Sequence, residues 1–236
     1  MEKYVDFSKI PGHINKIKID IGLSYNAPQS QKWFEHDGNS LYVFGFEPNT
    51  ECLESLNNKN IIKRHPSHGK PIEDKYLESN MCIIPVALNN VQEESQGIFY
   101  QMENDCGISS LNYPDQIQLG NVKAITTVPV YSLKHFFDIF IWDRYPYIEY
   151  MKIDAQGSDY DILQGADDYI ERIIYITAEP ESNMYAKCSK NTTDNIRSYL
   201  EKKGFRQVLH PNTSDPTFLN TRFQHLANDI FIYQSG

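Results

Sequence analysis

The sequence predicts an α/β protein with a mostly parallel sheet and helices on both faces. Short apolar runs typical of strands alternate along the chain with segments of helical periodicity. The first three segments are a strand at 16–22, a helix at 29–36 and a strand at 41–48; two strands joined through a helix form a βαβ unit. The 236 residues are 40% hydrophobic. That length supports one sizeable core, so we expect a single domain over residues 1–236.

Each element is predicted by its pattern and by the residue that ends it. "KIKIDIG" alternates and ends in Gly22, whereas "LYVFGFEP" is stopped by Pro48. Phe136 and Phe140 lie four residues apart in a predicted helix, which indicates a stripe that faces the core. The other predicted strands are 81–88, 122–132, 148–154, one within 169–180 and 228–233, and the other predicted helices are 49–58, 132–142 and 192–204.

Composition disfavours several classes of function. The net charge of −9 repels polyanions, so we expect no nucleic-acid partner. No apolar run reaches membrane-spanning length and no signal peptide is evident, so we expect no membrane partner and a cytoplasmic location. His65 and His68 lie in a polar loop without a carboxylate pair, and we predict no metal site. The widely spaced cysteines are predicted to be buried thiols: Cys52, Cys82, Cys106 and Cys188.

Two strand ends point to a nucleoside ligand. Parallel sheets bind ligands beyond the carboxyl ends of their strands. Gly22 ends the first strand and allows close approach of the backbone, although a lone glycine is equally typical of a simple turn. Glu47 ends the second strand about 25 residues later, near the offset at which an acid binds both ribose hydroxyls. Together the two residues predict a site for an adenosine cofactor.

The loop after Gly22 selects among such cofactors. A dinucleotide needs glycines and free N–H groups for its pyrophosphate. This loop runs Leu-Ser-Tyr-Asn-Ala-Pro, without a further glycine and with Pro28 lacking an N–H. S-adenosylmethionine carries no phosphate, and its cationic sulfonium and amino-acid tail suit acids such as Asp20 and Asp154. We therefore favour S-adenosylmethionine, with a dinucleotide oxidoreductase as a distant alternative.

The stretch at 150–170, "YMKIDAQGSDYDILQGADDYI", resembles the FkbM family of S-adenosylmethionine-dependent methyltransferases. The matching residues are Lys152, Asp154, Gly157, Leu163, Gly165 and Ala166. Other family-like motifs follow in order over about residues 16–235: "DIG" at 20–22, "FEP" at 46–48, "VAL" at 86–88, "GISSL" at 107–111, "VPVYSLKHFF" at 128–137 and "AEP" at 178–180. The resemblance implies a class I methyltransferase fold, a Rossmann-like three-layer sandwich whose seven-stranded sheet has its last strand antiparallel. It also implies methylation of a hydroxyl on a sugar, glycan or secondary metabolite.

The predicted catalytic residues are Asp154 and Lys152. A carboxylate at a strand end suits a base or an anchor for the acceptor hydroxyl, but Asp154 equally suits a role that only orients the cofactor or caps the next helix. Lys152 is expected to pair with Asp154 or with Glu179. His135 is a rival base that we interpret as structural. The predicted cofactor-binding residues are Asp20, Gly22, Ser24, Asn26, Glu47, Ala87, Ser110 and Asp154.

Two departures from the family pattern motivate an alternative function. Asn26 stands where the family has a second glycine, and Asn tolerates the left-handed backbone better than other non-glycine residues do, which is compatible with cofactor binding. Gln156 stands where the family has Glu, which removes a charge beside Asp154. The alternative is a non-catalytic S-adenosylmethionine-binding module that keeps the fold.

Acceptor recognition is expected in polar loops above the sheet, at 104–116, 181–191 and 210–225, with Tyr185 and Arg222 as candidate contacts. Solvated connections have the same composition. Segment 57–80 is a possible insertion or lid, and residues 1–15 form an N-terminal extension. The basic residues of segment 57–80 suit an anionic acceptor or a solvated surface: Lys59, Lys63, Arg64 and Lys70. The expected partner is a small-molecule or glycan acceptor, and the oligomeric state stays open.

Overall fold

The computed structural model describes residues 1–58, 69–208 and 214–230. Within these ranges the strands are β1 (Lys16–Ile21), β2 (Leu41–Phe46), β3 (Met81–Ile84), β4 (Ala87–Leu88), β5 (Ser95–Met102), β6 (Val122–Tyr131), β7 (Ile148–Ile153), β8 (Ile173–Ala178), β9 (Phe205–Gln207) and β10 (Thr217–Asn220). The α-helices are α1 (Pro28–Asp37), α2 (Thr50–Asn58), α3 (Asp74–Ser79), α4 (Gln116–Leu119), α5 (Leu133–Phe137), α6 (Asp159–Gln164) and α7 (Thr193–Lys202).

Seven strands form the main sheet in the order β3-β2-β1-β7-β8-β10-β9. Pairing is parallel from β3 through β8, while β10 is antiparallel to both β8 and β9. The predicted α/β fold, a mostly parallel sheet with its last strand antiparallel, is therefore confirmed. Because the chain moves outward from β1 to β3 and then returns to β7, the strand order reverses between β1 and β7, which is where such sheets bind ligands.

Apolar residues cover both faces of this sheet and give three layers. Ile17, Ile19 and Ile21 point to one face, where they join a core that includes Phe136 and Phe137. A second core on the opposite face contains Trp33 and Phe34 of α1, Val43 and Tyr150. Alternate positions of β1 therefore serve different layers, as the period of two requires. Asp20 lies on the α1 side, where Ser30 donates a hydrogen bond to it.

A smaller sheet, with the order β4-β6-β5, stands beside the main sheet. The strand predicted at 81–88 is divided between the two sheets, because Pro85 cannot continue a ladder of hydrogen bonds. The strand predicted at 122–132 is confirmed as a strand, yet β6 pairs with β4 and β5 rather than with the main sheet.

Two predicted elements end differently in the structure. The helix predicted at 132–142 ends at Phe137, although Phe136 and Phe140 still pack together with ring centroids 5.6 Å apart. The strand predicted at 228–233 is wrong for residues 228–230, because a 3-10 helix at Thr221–Asp229 and a bend occupy them. Residues 231–233 lie outside the described residues.

The structure describes the N-terminal extension, residues 1–15, in full and the possible insertion or lid at 57–80 in part. Phe7 of the N-terminal extension packs on Phe44, with ring centroids 5.7 Å apart, and on Phe136, so this segment covers one face of the sheet. Lys59, Lys63 and Arg64, together with His65 and His68, lie outside the described residues. The Lys70 Nζ forms ion pairs with Glu35 and Glu73 at 2.8 and 3.0 Å. None of the helices in the described ranges is long and apolar enough to cross a membrane.

Candidate active site

A cleft opens at the carboxyl ends of β1, β2 and β7, where the strand order reverses. Its empty volume is about 470 Å³ when the part that is open to solvent is counted. The floor is formed by the strand ends at 21–22, 46–48 and 154–156 together with Ser158. The roof comes from strands β4 and β5 of the smaller sheet, with Val86 just before β4, and from the segment between β5 and β6: 86–88, Phe99, Cys106, Gly107 and 109–111.

Gly22 lies at the point where the end of β1 meets the ends of both neighbouring strands, β2 and β7. Its N–H donates to the Phe46 carbonyl at 2.9 Å, and the Asp154 N–H donates to the Ile21 carbonyl at 2.9 Å. Gly22 has a φ of +83°, and a Cβ at this position would collide with the backbone oxygen of Asp154. Only glycine satisfies both conditions, because L side chains are strained at positive φ and the space is filled.

Glu47 is a buried carboxylate at the end of β2. Its side chain is held by the Ser24 N–H at 2.9 Å on Oε2 and by the Asn49 N–H at 2.8 Å on Oε1. Burial raises the pKa of Glu47 to about 8, against the effect of the two backbone hydrogen bonds. When ionised, a carboxylate has about four acceptor positions, so the positions that the two backbone N–H groups leave open can accept hydrogen bonds from a diol that enters the cleft.

The loop between β1 and α1 carries no cradle for a pyrophosphate. α1 begins at Pro28, which has no N–H, and Ala27 at the N-cap provides no side-chain hydrogen bond. The left-handed residues of this loop are Ser24, with a φ of +55°, and Ala27, with a φ of +44°. Asn26 itself does not take the left-handed backbone that an asparagine tolerates, because the chain turns on either side of it.

Asp154 is fixed through both of its oxygens. The Lys152 Nζ lies 2.7 Å from Oδ2, and the Gln156 Nε2 donates to Oδ1 at 2.6 Å. Burial acts to raise the pKa of Asp154, but the Lys152 ammonium and these hydrogen bonds prevail and lower it. Asp154 is therefore an ionised carboxylate of fixed orientation in the cleft floor.

Further carboxyl groups surround this ion pair. The Asp154 charge, together with burial, raises the pKa of Glu179 to about 9. Burial raises the pKa of Asp159 to about 7 and that of Asp20 to about 6. The Glu179 N–H donates to Asp159 Oδ1 at 3.1 Å, whereas Asp159 Oδ2 and Asp20 Oδ1 are buried without a hydrogen-bond partner. The ammonium of Lys152 offsets the negative charge of this group.

Comparison with known protein families decides what kind of site this is. The family described as Methyltransferase FkbM domain matches residues 23–207 of the 236 residues. The chain belongs to the FkbM methyltransferase family. Searches of curated proteins and of solved structures find no match. The matched range contains the cleft residues Glu47, Asp154 and Gln156, while Gly22 directly precedes it.

Gln156 is of particular interest because the sequence resemblance marks it as a departure from the family pattern. Gln156 sits at a φ of +50° and lines the cleft. Its amide nitrogen donates to Asp154, and its amide oxygen accepts a hydrogen bond from the Tyr185 hydroxyl at 2.6 Å. A carboxylate at this position would face Asp154 with a like charge. The amide thus adds to the effect of the Lys152 ammonium, which is the larger cause of the lowered pKa of Asp154.

The predicted site residues divide into two groups in the structure. Those that line the cleft are Gly22, Glu47, Ala87, Ser110 and Asp154. Those that lie behind its walls are Asp20, Ser24, Asn26 and Lys152, where they support lining residues or pack against α1 and its loop. Their roles toward a cofactor stay predictions.

Arg222 is not at the cleft. Its guanidinium Nη2 lies 3.1 Å from Glu171, which precedes β8. Because β10 runs antiparallel, it carries the chain from the carboxyl edge of the sheet to the amino edge before Arg222 is reached. The candidate role of Arg222 in acceptor binding is therefore wrong, and part of segment 210–225, namely 210–213, lies outside the described residues.

Sequence reasoning missed Asn49 and Phe99. The Asn49 side chain donates to the Cys106 carbonyl at 2.9 Å and to Ser109 Oγ at 3.1 Å, which ties the roof of the cleft to the end of β2. The only signal for Asn49 was its position as a possible helix cap after Pro48. Phe99 lines the cleft from β5. The hydrophobic pattern of residues 95–102 did not predict a strand there.

His135 and the cysteines have structural roles. The His135 Nδ1 accepts from the Ser132 N–H at 3.0 Å in a capping box, which confirms the structural interpretation. The cysteines carry free thiols, buried at Cys52, Cys106 and Cys188 and half-buried at Cys82. In residues 1–58, 69–208 and 214–230, no group of three or more His, Cys, Asp and Glu side chains is arranged to hold a metal ion.

Proposed function

We propose that this methyltransferase uses S-adenosylmethionine to methylate a hydroxyl of a sugar, a glycan or a hydroxylated secondary metabolite. The observation that carries the proposal is the buried Glu47 carboxylate, which faces a cleft beside Gly22 and is oriented by two backbone N–H groups. Such a carboxylate suits a ribose diol. The Pro28 helix start and the glycine-free loop disfavour the pyrophosphate of a dinucleotide.

Each part of the cleft floor then has a task. Glu47 accepts hydrogen bonds from the two ribose hydroxyls. Gly22, which has no side chain, lets the backbone at the end of β1 approach the ligand closely. Asp154 presents negative charge to the cationic end of the ligand. When bound, S-adenosylmethionine supplies a methyl group whose bond to sulfur breaks as a bond to the acceptor oxygen forms.

Asp154 also suits the acceptor. In-line methyl transfer depends chiefly on alignment of the reacting atoms, and Asp154 is held rigidly by Lys152 and Gln156. Its lowered pKa keeps it ionised at neutral pH, so it accepts a hydrogen bond from the acceptor hydroxyl and orients the oxygen lone pair toward the methyl group. As the acceptor oxygen gains the methyl group, its proton passes along that hydrogen bond to the Asp154 carboxylate, which then releases it to solvent.

The substitution Asp154→Asn tests this role. Asn keeps the size of the side chain but removes the charge, so we expect transfer of labelled methyl from S-adenosylmethionine to a panel of hydroxylated acceptors to fall at least about 100-fold. Asp138→Asn is the matched control, because Asp138 forms an exposed ion pair with Lys134 and neither residue lines the cleft. Equal transfer rates for Asp154→Asn and wild type would remove Asp154 from the mechanism.

The alternative, a non-catalytic binding module, makes a different prediction in the same assay. It was motivated by Asn26 and Gln156, but the loop turns without Asn26 and the Gln156 amide supports Asp154. Binding of S-adenosylmethionine without methyl transfer to any acceptor of the panel would favour the binding module.

A further inference from the structure

A second groove lies beside the cleft, between the two loops in which acceptor contacts were expected. It encloses about 670 Å³ of empty space open to solvent. The residues of its walls that bear on the inference are Tyr113, Asp115, Ile117, Asn183 and Tyr185.

The walls of the groove are held in a fixed arrangement, because its two loops are joined by backbone hydrogen bonds. The Asp115 N–H donates to the Met184 carbonyl at 2.9 Å, and the Ala186 N–H donates to the Tyr113 carbonyl at 2.7 Å. Pro114 and Tyr185 form an isolated antiparallel bridge between these bonds. The Tyr113 ring is further held by an edge-to-face contact with Tyr100, at a centroid distance of 5.2 Å.

The groove adjoins the cleft through a hydrogen-bonded pair of side chains, Tyr185 and Gln156. Tyr185 is buried and lines the groove, and its hydroxyl donates to Gln156 Oε1 at 2.6 Å. Gln156 lines the cleft and donates to Asp154. Two side chains, Tyr185 and Gln156, therefore connect a ligand in the groove to the carboxylate assigned to the acceptor hydroxyl.

The surface chemistry of the groove is unusual for this molecule. Four large apolar side chains are exposed in the described residues, and two of them line the groove: Tyr113 is 47% exposed and Ile117 is 96% exposed. Asn183 and Asp115 add polar groups along the same walls. Exposed apolar groups beside convergent polar ones mark a binding site for a ligand that has both kinds of surface.

We propose that this groove binds a pyranose ring of the acceptor. A pyranose has a face of C–H groups, which is attracted to the negative face of an aromatic ring such as Tyr113, and a rim of hydroxyls that Asn183 and Asp115 can bind. The inference rests on the proposed function and deepens it, because it assigns the acceptor to the glycosides and names the groove that selects it.

Saturation-transfer NMR with a mixture of methyl pyranosides of common hexoses and deoxyhexoses tests the inference on the full chain, with S-adenosylhomocysteine added. We expect the ring C–H protons of at least one pyranoside to receive saturation from wild type, and this signal to fall at least fivefold in Tyr113→Ala and in Asn183→Ala. Ile125→Ser is the matched control, since Ile125 is 63% exposed on β6 but outside the groove, and it keeps the wild-type signal.

Each outcome decides. Absence of saturation for every pyranoside overturns the inference, as does an equal signal in wild type and in a folded Tyr113→Ala variant. Asn183 is exposed, so Asn183→Ala keeps the test decisive if Tyr113→Ala fails to fold. Calorimetric binding of S-adenosylhomocysteine, measured on the same samples, reports on the proposed function separately. If S-adenosylhomocysteine binds and no pyranoside does, only the assignment of the groove is wrong. If a pyranoside binds and S-adenosylhomocysteine does not, the proposed use of S-adenosylmethionine is wrong.

Discussion

Gly22→Ala is expected to destabilise the protein by about 2–5 kcal/mol and to abolish cofactor binding. Two separate costs combine. The φ of +83° is a left-handed conformation that costs an L side chain about 1–2 kcal/mol. The new Cβ also meets the Asp154 carbonyl, and forced overpacking of this kind costs about 1–3 kcal/mol. Relief of that collision pushes β1 and β7 apart at the point where the cleft floor is formed.

Gly204→Ala is the matched control for this substitution. Gly204 has a φ of +86°, yet nothing lies within 4 Å of the Cβ it would gain. It therefore carries the backbone cost of about 1–2 kcal/mol alone. Denaturant unfolding of the two variants measures the difference, which is the cost of the contact with Asp154. Equal losses of stability, or wild-type cofactor affinity in Gly22→Ala, would contradict the account of the cleft floor.

Lys152→Met is the second large effect. The substitution keeps an unbranched side chain but leaves Asp154 ionised, largely buried and without its cation, beside Asp20 and Glu179. Removing one partner of a buried ion pair costs about 3–5 kcal/mol. Asp154 is 24% exposed, so water offsets part of that cost. We expect a loss of about 3 kcal/mol at pH 8.

This loss depends on pH, and its sign follows from the pKa of Asp154. In wild type the pKa is lowered, so the stability that the ion pair contributes is present above the ordinary carboxyl pKa and is lost as the pH falls through the lowered value. Without Lys152, the pKa of Asp154 rises and the group takes up a proton at mildly acidic pH. The stability difference between wild type and Lys152→Met should therefore shrink from pH 8 to pH 5.

Two further variants make the Lys152 prediction specific. Lys123→Met removes an exposed lysine that pairs with Glu51 at 3.0 Å, and such surface pairs contribute about 0–1 kcal/mol. The double variant Lys152→Met with Asp154→Asn removes both charges and should be more stable than Lys152→Met alone. If Lys152→Met and Lys123→Met have the same unfolding free energy at pH 8, Lys152 does not support the site electrostatically.

Local patterns predicted the main sheet well and the smaller sheet poorly. Alternation and stop residues located β1, β2 and β7, because a strand that is buried in a parallel sheet is a short apolar run between clear breakers. The pattern "MCIIPVAL" has the same character, but it cannot show that the chain leaves one sheet at Pro85 and enters another. Sheet assignment depends on pairing partners distant in sequence.

The sequence predicted those residues of the candidate site that directly follow a strand of the parallel sheet. Glu47 and Asp154 follow β2 and β7 directly, and parallel strands bring their carboxyl ends to one edge. The hydrogen bonds that hold the residues of the cleft in place could not be predicted from local patterns, because their partners are distant in sequence. The Tyr185 hydroxyl reaches Gln156 across 29 positions, and Asn49 reaches Ser109 across 60. Arg222 was misplaced since the sequence did not show where β10 would end.

The most direct test of the central claim is calorimetric titration of the purified protein with S-adenosylmethionine, S-adenosylhomocysteine and a nicotinamide dinucleotide. We expect the first two to bind with micromolar affinity and the dinucleotide not to bind. The titration is made at about pH 9, because Glu47, with a pKa of about 8, is ionised there. Under that condition Glu47→Ala should weaken both interactions at least about 100-fold, since hydrogen bonds to a charged group contribute about 1.5–3 kcal/mol each. Glu47→Gln tests the same charge with the size kept, and the surface variant Glu103→Ala should bind as wild type does. Absence of S-adenosylmethionine binding, or undiminished binding in a folded Glu47→Ala variant, would contradict the account.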